Sequence, residues 1–166
     1  KIGTYRGQCV ELCGKDHAYM PIVVQVVSEA DYQTWVASKK GAAQAAAADN
    51  SKTFTLDELK TRGEQVYAAN CAACHQANGM GLPGAFPAIS GSKIATGPVD
   101  AHINIVVHGK PGTAMQAFGT QLSDADIAAV VTYQRNAWDN KVGDMVQPAQ
   151  VTALKGAPAA TAQAPQ

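Results

Sequence analysis

Three segments of the chain carry apolar residues at the three-to-four-residue spacing of a buried helix face. Each begins with a start signal: a capping box from Thr55 to Glu58, Pro98 in a first turn, and a cap from Ser123 to Asp126. The apolar positions are Leu59, Val66 and Tyr67, then Ile103, Val106 and Val107, then Ile127, Val130, Val131 and Trp138. The sequence therefore predicts a mainly α fold with three or more helices around one core.

The first 28 residues have a different pattern, in which short β-favouring runs alternate with a Cys-rich loop. The run from Ile22 to Val27 is rich in β-branched residues and predicts a strand. From Ser28 to about Lys40 a short helix is predicted, with Ser28 as its N-cap and Gly41 as its end.

Composition divides the chain into four segments. Residues 41–54 are rich in Ala and then polar, which indicates a linker, although a run of Ala can also be partly helical. After Gln147 the chain is poor in large apolar residues and is expected to be unordered. We therefore predict a β-rich segment at 1–40, a linker at 41–54, a helical domain at 55–140 and a flexible tail at 141–166.

Charge and hydropathy exclude two classes of protein. The formal net charge is +0 and there is no basic block, so a nucleic-acid partner is not expected. No apolar run approaches the roughly 20 residues needed to cross a bilayer. All four cysteines fall in two tight pairs, which is typical of metal and cofactor sites and predicts two of them.

The second cysteine pair forms Cys71-Ala72-Ala73-Cys74-His75, which is the attachment signature of haem c. Two thiols at this spacing can add to the two vinyl groups of haem, and the adjacent imidazole can bind the iron. The alternatives are a thioredoxin-like redox pair and half of a zinc site, but no βαβ pattern and no further CxxC pair follows.

The haem iron is expected to take a soft donor as its sixth ligand, either Met80 or Met115. Met80 lies only five residues after His75, too short a span to reach the opposite face of the macrocycle, whereas the 40 residues to Met115 suffice. We therefore predict Met115, with packing in a core gap as its alternative role. His102 and His108 are expected on solvent-facing parts of the middle helix.

Residues 55 to about 139 resemble the class I cytochromes c. The resemblance rests on Gly63 and Tyr67 before the CxxCH motif, Pro87 twelve residues after His75, Met115, and then Val130 and Tyr133. It implies that Gly63 permits close crossing of the terminal helices and that Tyr133 packs at that crossing. It also implies that the Pro87 carbonyl accepts the Nδ1 proton of His75, which would fix the tautomer.

The first cysteine pair lies in a loop that also contains an imidazole and a thioether, at Cys9, Glu11, Cys13, His17 and Met20. Soft sulfur donors with imidazole suit copper, and two thiolates can bridge two copper ions. A zinc site and a Cys9–Cys13 disulfide are the alternatives.

This loop, with the spacing C-x-E-x-C-G-x-x-H-x-x-M-P, is similar to the dinuclear copper (CuA) loop of cytochrome c oxidase subunit II. The resemblance implies a partial cupredoxin segment in which Cys9 and Cys13 bridge the coppers. His17 and Met20 would be terminal ligands, and Glu11 would contribute its backbone carbonyl. The family takes a second histidine from an upstream strand, and nothing before Cys9 supplies one.

A copper loop followed by a cytochrome c domain resembles the haem-c-fused (caa) type of subunit II. This implies an oxidase subunit in which an external donor reduces haem c and haem c reduces CuA, while the oxygen chemistry takes place in other subunits. Haem c attachment implies the periplasmic face of the inner membrane, with membrane contact only through the family's upstream helices. The rival hypotheses are a free-standing periplasmic cytochrome c shuttle and a haem enzyme or gas sensor with an open iron position.

Overall fold

A computed structural model describes residues 1–11 and 21–156, without the side chains of 42 and 43. The chain divides into two compact units, residues 1–44 and 45–166. This division falls within the range predicted as a linker. In the described part, no helix has both the length and the apolar content that a membrane span requires.

The first unit contains a two-stranded antiparallel sheet. Strand β1 (Gly3–Gln8) pairs with β2 (Pro21–Val26) in a register that joins Gly3 to Val26 and Gln8 to Pro21. The valines of β2 alternate between the two faces of the sheet, yet every residue of β2 is exposed. This is the short β segment that was predicted to precede the helical domain.

Helix α1 (Glu29–Asn50) starts as predicted but is much longer than predicted. Ser28 Oγ accepts a hydrogen bond from Asp31 N at 3.1 Å and thus caps the first turn. The expectation that Gly41 ends the helix was wrong. A glycine inside a helix costs only about 1 kcal/mol relative to alanine, and the following alanines have the best helix propensity, so the helix continues.

Six helices lie entirely within the described part of the second unit, which begins within the last turns of α1. They are α2 (Leu56–Asn70), α3 (Ala72–His75), α4 (Lys93–Thr96), α5 (Val99–His108), α6 (Asp124–Asn136) and α7 (Pro148–Lys155). Buried side chains of these helices and of the loops at Phe118 and Val146 form one core, which also includes Leu59, Tyr67, Ile103, Val106, Ile127, Val130, Val131 and Val151. The mainly α fold and the cytochrome c arrangement predicted from the sequence are confirmed.

Helices α2 and α6 cross at Gly63. A Cβ atom on Gly63 would lie 2.1 Å from the carbonyl oxygen of Ala129 and 2.6 Å from Cβ of Tyr133. No side chain larger than hydrogen fits at this distance, so glycine is required for the helices to pack. Tyr133 packs at the crossing, as the resemblance implied.

Residues 148–155 differ from the unordered state predicted for the chain after Gln147, whereas residues 157–166 of that prediction lie outside the described residues. Residues 148–155 form α7, in which Val151 is fully buried against the core. The Gln147 side chain donates to Phe54 O and accepts from Phe54 N. Lys155 pairs with Asp124 at the start of α6. Composition suggested too few apolar groups, but Val151 and these polar contacts compensate for the ordering entropy.

His102 was expected to face solvent, and this was wrong. Its side chain is 3% exposed, and Nε2 lies 2.7 Å from the side-chain oxygen of Gln134. Burial lowers the pKa of His102 to about 4, so the imidazole is neutral at physiological pH. His102 lies four residues before Val106 and therefore shares the buried face of α5, whereas its polar partner on α6 could not be predicted from this spacing.

We predict that Gly63→Ala lowers the free energy of unfolding by about 2 kcal/mol. Overpacking costs typically 1–3 kcal/mol, and the higher helix propensity of alanine offsets about 1 at most. Denaturant unfolding followed by circular dichroism measures the change. Gly41→Ala is the control, since a Cβ there meets nothing within 4 Å. An unfolding midpoint for Gly63→Ala equal to that of the wild type would contradict the close crossing.

We predict that His102 makes stability depend on pH between its ordinary pKa of 6.5 and about 4. In this window the unfolded state binds the proton and the folded state does not, so stability falls as pH falls. The loss reaches about 3 kcal/mol at 1.36 kcal/mol per pKa unit. His102→Gln cannot take up this proton and should show a flatter dependence of unfolding free energy on pH. Parallel curves for the two proteins would refute the buried neutral imidazole.

Candidate functional site

Helix α2 presents the CxxCH motif at its C-terminal end. The helix starts at the predicted capping box, in which Thr55 Oγ1 accepts from Glu58 N and the Glu58 carboxylate accepts from Thr55 N. It ends where Cys71 N donates to Tyr67 O at 2.9 Å, and the short helix α3 then turns the chain through His75. Neither Cys71 nor Cys74 forms a disulfide, and both side chains are partly buried.

The environment of Cys71 disfavours the redox alternative. Burial, with a further contribution from Cys74, raises the pKa of the Cys71 thiol to about 11. Thioredoxin-like pairs need a lowered pKa because the thiolate is the nucleophile. Among the described residues, no three His, Cys, Asp or Glu side chains are grouped so that they could hold a metal ion.

The imidazole of His75 is oriented by the backbone of the following loop. Nδ1 lies 2.9 Å from the carbonyl oxygen of Pro87, the contact that the resemblance implied. With the proton on Nδ1, the lone pair of Nε2 is available to a metal. The loop is closed by Gly81, whose N–H donates to His75 O at 2.9 Å.

Met115 lies in a turn closed by a hydrogen bond from Lys110 N to Met115 O, at 3.0 Å. Gly109 makes this turn possible, because its φ is +69° and a Cβ there would lie 2.6 Å from Met115 O. The Met115 side chain is half-buried against the same core cluster as Cys71. Met80, the competing candidate, is 55% exposed.

The segment after α6 holds the loop that follows the motif, a contact that no sequence pattern indicated. Asn140 is fully buried, donates to Ile89 O at 3.0 Å and accepts from Gly91 N at 2.8 Å. Trp138 donates through Nε1 to Ala77 O at 3.1 Å. Helical spacing predicted Trp138 on the buried face of the last helix, but α6 ends at Asn136. Trp138 and Asn140 therefore lie beyond the helix, and their polar contacts are visible only in the folded chain.

The predicted copper ligands are only partly within the described residues. Cys9 Sγ lies 3.2 Å from the carbonyl oxygen of Glu11, so two of the expected donors are adjacent. Cys13, His17 and Met20 lie outside the described residues.

Comparison with known proteins gives two family matches. Residues 58–133 match the family described as cytochrome C oxidase, cbb3-type, subunit III, a range that contains CxxCH and Met115. Residues 1–27 match the family described as cytochrome C oxidase subunit II, periplasmic domain, a range that contains Cys9 to Met20.

One relative is a cytochrome c oxidase subunit 2 and another is a cytochrome c subunit, in line with the two family matches. A probable cytochrome c oxidase subunit 2 of Rickettsia bellii is 54% identical over 52 residues, which is 31% of this chain and 19% of that protein. The cytochrome c subunit of a quinone alcohol dehydrogenase of Gluconobacter oxydans is 32% identical over 60% of this chain and 23% of that protein. The solved structure of dihydro-heme d1 dehydrogenase NirN is 32% identical over 46% of this chain and 16% of that one, with a TM-score of 0.40.

The fold and the motif define a c-type cytochrome domain in the second unit. The chain combines this cytochrome c domain with an N-terminal segment that is similar to the periplasmic domain of cytochrome c oxidase subunit II. A cytochrome c domain implies haem, and both likenesses support electron transfer. The chain spans between 12% and 19% of the length of four Rickettsia subunit 2 proteins that it matches.

We predict that Gly81→Ala disturbs the His75–Pro87 contact. A Cβ at Gly81 would lie 2.3 Å from Phe86 O and 2.6 Å from Pro87 O, so it would displace the carbonyl that faces Nδ1. The variant should lose about 2–4 kcal/mol of stability from strain at positive φ plus overpacking. NMR of the imidazole Nδ1 proton and denaturant unfolding measure both effects.

Gly84→Ala is the matched control for this variant. Gly84 lies in the same loop with a φ of +79°, but a Cβ there meets nothing within 4 Å. It should lose only the backbone strain of about 1–2 kcal/mol and keep the Nδ1 signal. Equal effects of the two substitutions would mean that crowding at Pro87 is unimportant.

Proposed function

We propose that the second unit binds one haem c, which Cys71 and Cys74 would attach through thioether bonds and whose iron His75 and Met115 would bind, and that it transfers single electrons. The observation that carries the proposal is the 2.9 Å contact between His75 Nδ1 and Pro87 O within a CxxCH motif. This contact assigns the proton to Nδ1 and leaves Nε2 for the iron.

The chain's own residues hold the group and limit its chemistry. Cys71 and Cys74 attach it, the Pro87 carbonyl makes the imidazole a stronger donor, and the closed turn at Met115 presents a thioether. Bound haem supplies an iron that changes its oxidation state by one electron. With both His75 and Met115 as ligands, the iron would favour electron transfer over oxygen binding.

The turn at Met115 supports its choice as the sixth ligand. A ligand must be presented in one conformation, and the Lys110–Met115 hydrogen bond and the close packing of Gly109 both restrict this turn. The Met80 side chain is 55% exposed and is therefore not held in one conformation by packing. Met80 also lies only five residues after His75, too short a span of chain to bring its sulfur to the opposite face of the haem.

We further propose that the electrons pass to a CuA centre and that the parent protein is a subunit of a haem–copper cytochrome c oxidase on the periplasmic face of the membrane. The subunit II match over residues 1–27 supports this. Cys9, Cys13, His17, Met20 and the Glu11 carbonyl would hold the copper, together with a histidine that residues 1–8 do not contain. The partners would be other oxidase subunits and an external electron donor.

The attachment is tested by acid-acetone extraction of the purified chain, followed by haem and metal analysis. Thioether-linked haem stays with the protein at one equivalent per chain, whereas non-covalent haem is extracted. Cys71→Ala combined with Cys74→Ala should convert the first result into the second. Pigment extracted completely from the wild-type chain would exclude haem c.

The sixth ligand is tested with Met115→Ala, which should lose the absorption band of the ferric iron–thioether bond. The reduced variant should bind carbon monoxide at neutral pH. Its reduction potential should fall on the order of 0.1 V, within the roughly 0.8 V over which axial ligands set haem potentials. Met80→Ala is the matched control and should leave all three unchanged. An unchanged spectrum in Met115→Ala would refute the assignment.

A further inference from the structure

Two aromatic side chains from opposite ends of the domain bond to the two residues that directly follow His75. Tyr67, on α2, donates its hydroxyl to Gln76 O at 2.7 Å. Trp138, just after α6, donates Nε1–H to Ala77 O at 3.1 Å. The chain leaving the motif is therefore held at two consecutive carbonyls by side chains that are distant in sequence.

The backbone at this point needs such support. Gln76 has a φ of +62° and Trp138 has a φ of +53°, both in the left-handed region. This conformation costs a residue with a side chain roughly 1–2 kcal/mol, and it persists where the surrounding contacts enforce it. Gly79 completes the contact, because a Cβ there would lie 2.6 Å from the Trp138 ring.

The two donors are themselves fixed by ring packing. Tyr67, Tyr133 and Trp138 form an aromatic triad with centroid separations of 5.6, 5.0 and 5.4 Å. Tyr67 is only 2% exposed. Its burial raises the pKa of the phenol well above the ordinary value, so the hydroxyl remains a donor.

Backbone bonds connect the held carbonyls to the imidazole. Gly81 N donates to His75 O at 2.9 Å, and Gly79 O accepts from Ile89 N at 2.7 Å. The Gly79–Ile89 bond therefore connects the start of the loop, at Gln76, to the part of the same loop that contains Pro87. A shift at Gln76 or Ala77 would change the separation between His75 Nδ1 and Pro87 O.

We propose that Tyr67 and Trp138 are positioning residues for the axial imidazole: by holding the Gln76 and Ala77 carbonyls, they maintain the His75–Pro87 hydrogen bond and so help set the reduction potential. This inference rests on the proposed haem ligation. A firm Nδ1–H···O bond makes the imidazole a better donor and favours the ferric state, so loosening it raises the potential.

The test compares three variants of the haem-loaded chain. Tyr67→Phe and Trp138→Phe each keep an aromatic ring and remove one donor. Tyr133→Phe is the matched control, since it removes a hydroxyl from the same triad that makes no hydrogen bond among the described residues. The readouts are the reduction potential and the solvent exchange rate of the imidazole Nδ1 proton, measured by NMR in the reduced protein.

We expect Tyr67→Phe and Trp138→Phe to exchange the Nδ1 proton several-fold faster than the control. We also expect them to shift the oxidation equilibrium toward the reduced form by about threefold, which is about 28 mV at 59 mV per tenfold change. If Trp138→Phe fails to fold, the comparison of Tyr67→Phe with Tyr133→Phe decides. A Tyr67→Phe protein that matches Tyr133→Phe in both readouts overturns the inference.

The wild-type chain separates this result from a failure of the proposed function. A wild-type protein without thioether-linked haem, or without the iron–thioether band, would remove the basis of the proposal before any variant is compared. A wild-type protein with both, and variants identical to the control, would leave the electron-transfer proposal standing and exclude only the positioning role.

Discussion

The close crossing of α2 and α6 at Gly63 is the constraint on which the rest of the domain depends. Because a Cβ there would come within 2.1 Å of the Ala129 carbonyl, the helix backbones are nearly in contact. This closeness lets Tyr67 on α2 meet Tyr133 on α6 and Trp138 beyond it. The crossing therefore also positions Trp138, which follows α6 and bonds to Ala77 in the loop after the CxxCH motif.

That loop has little core of its own, and its rigidity comes from other parts of the domain. Asn140 bonds to it at Ile89 and Gly91. Arg135 on α6 holds residues 95–97 in a similar way, since it donates to Ala95 O and Gly97 O. Its side chain is only 2% exposed and also pairs with Asp144 through two nitrogens. The buried guanidinium charge is tolerated because its nitrogens donate to the Asp144 carboxylate and to these two backbone carbonyls.

Local signals predicted much of this domain, and contacts between distant residues account for the errors. The Thr55 capping box, the helical spacing of α5 and α6 and the CxxCH motif involve residues close in sequence, so the pattern contains them. By contrast, the burial of His102 depends on Gln134, and the order of α7 depends on Phe54 and Asp124. The copper-ligand residues beyond Glu11 remain a prediction, supported by the subunit II match over residues 1–27.

The strength of the His75–Pro87 hydrogen bond depends on the position of the loop that carries Pro87. The partner of His75 is a backbone carbonyl, which no substitution of Pro87 can remove, so the strength of this contact can change only through the position of the loop. The position in turn depends on Tyr67 and Trp138, whose rings also pack across the helix crossing. Stability of the helix pair and the donor strength of the proposed iron ligand are thus controlled by the same side chains, and changes in one are expected to alter the other.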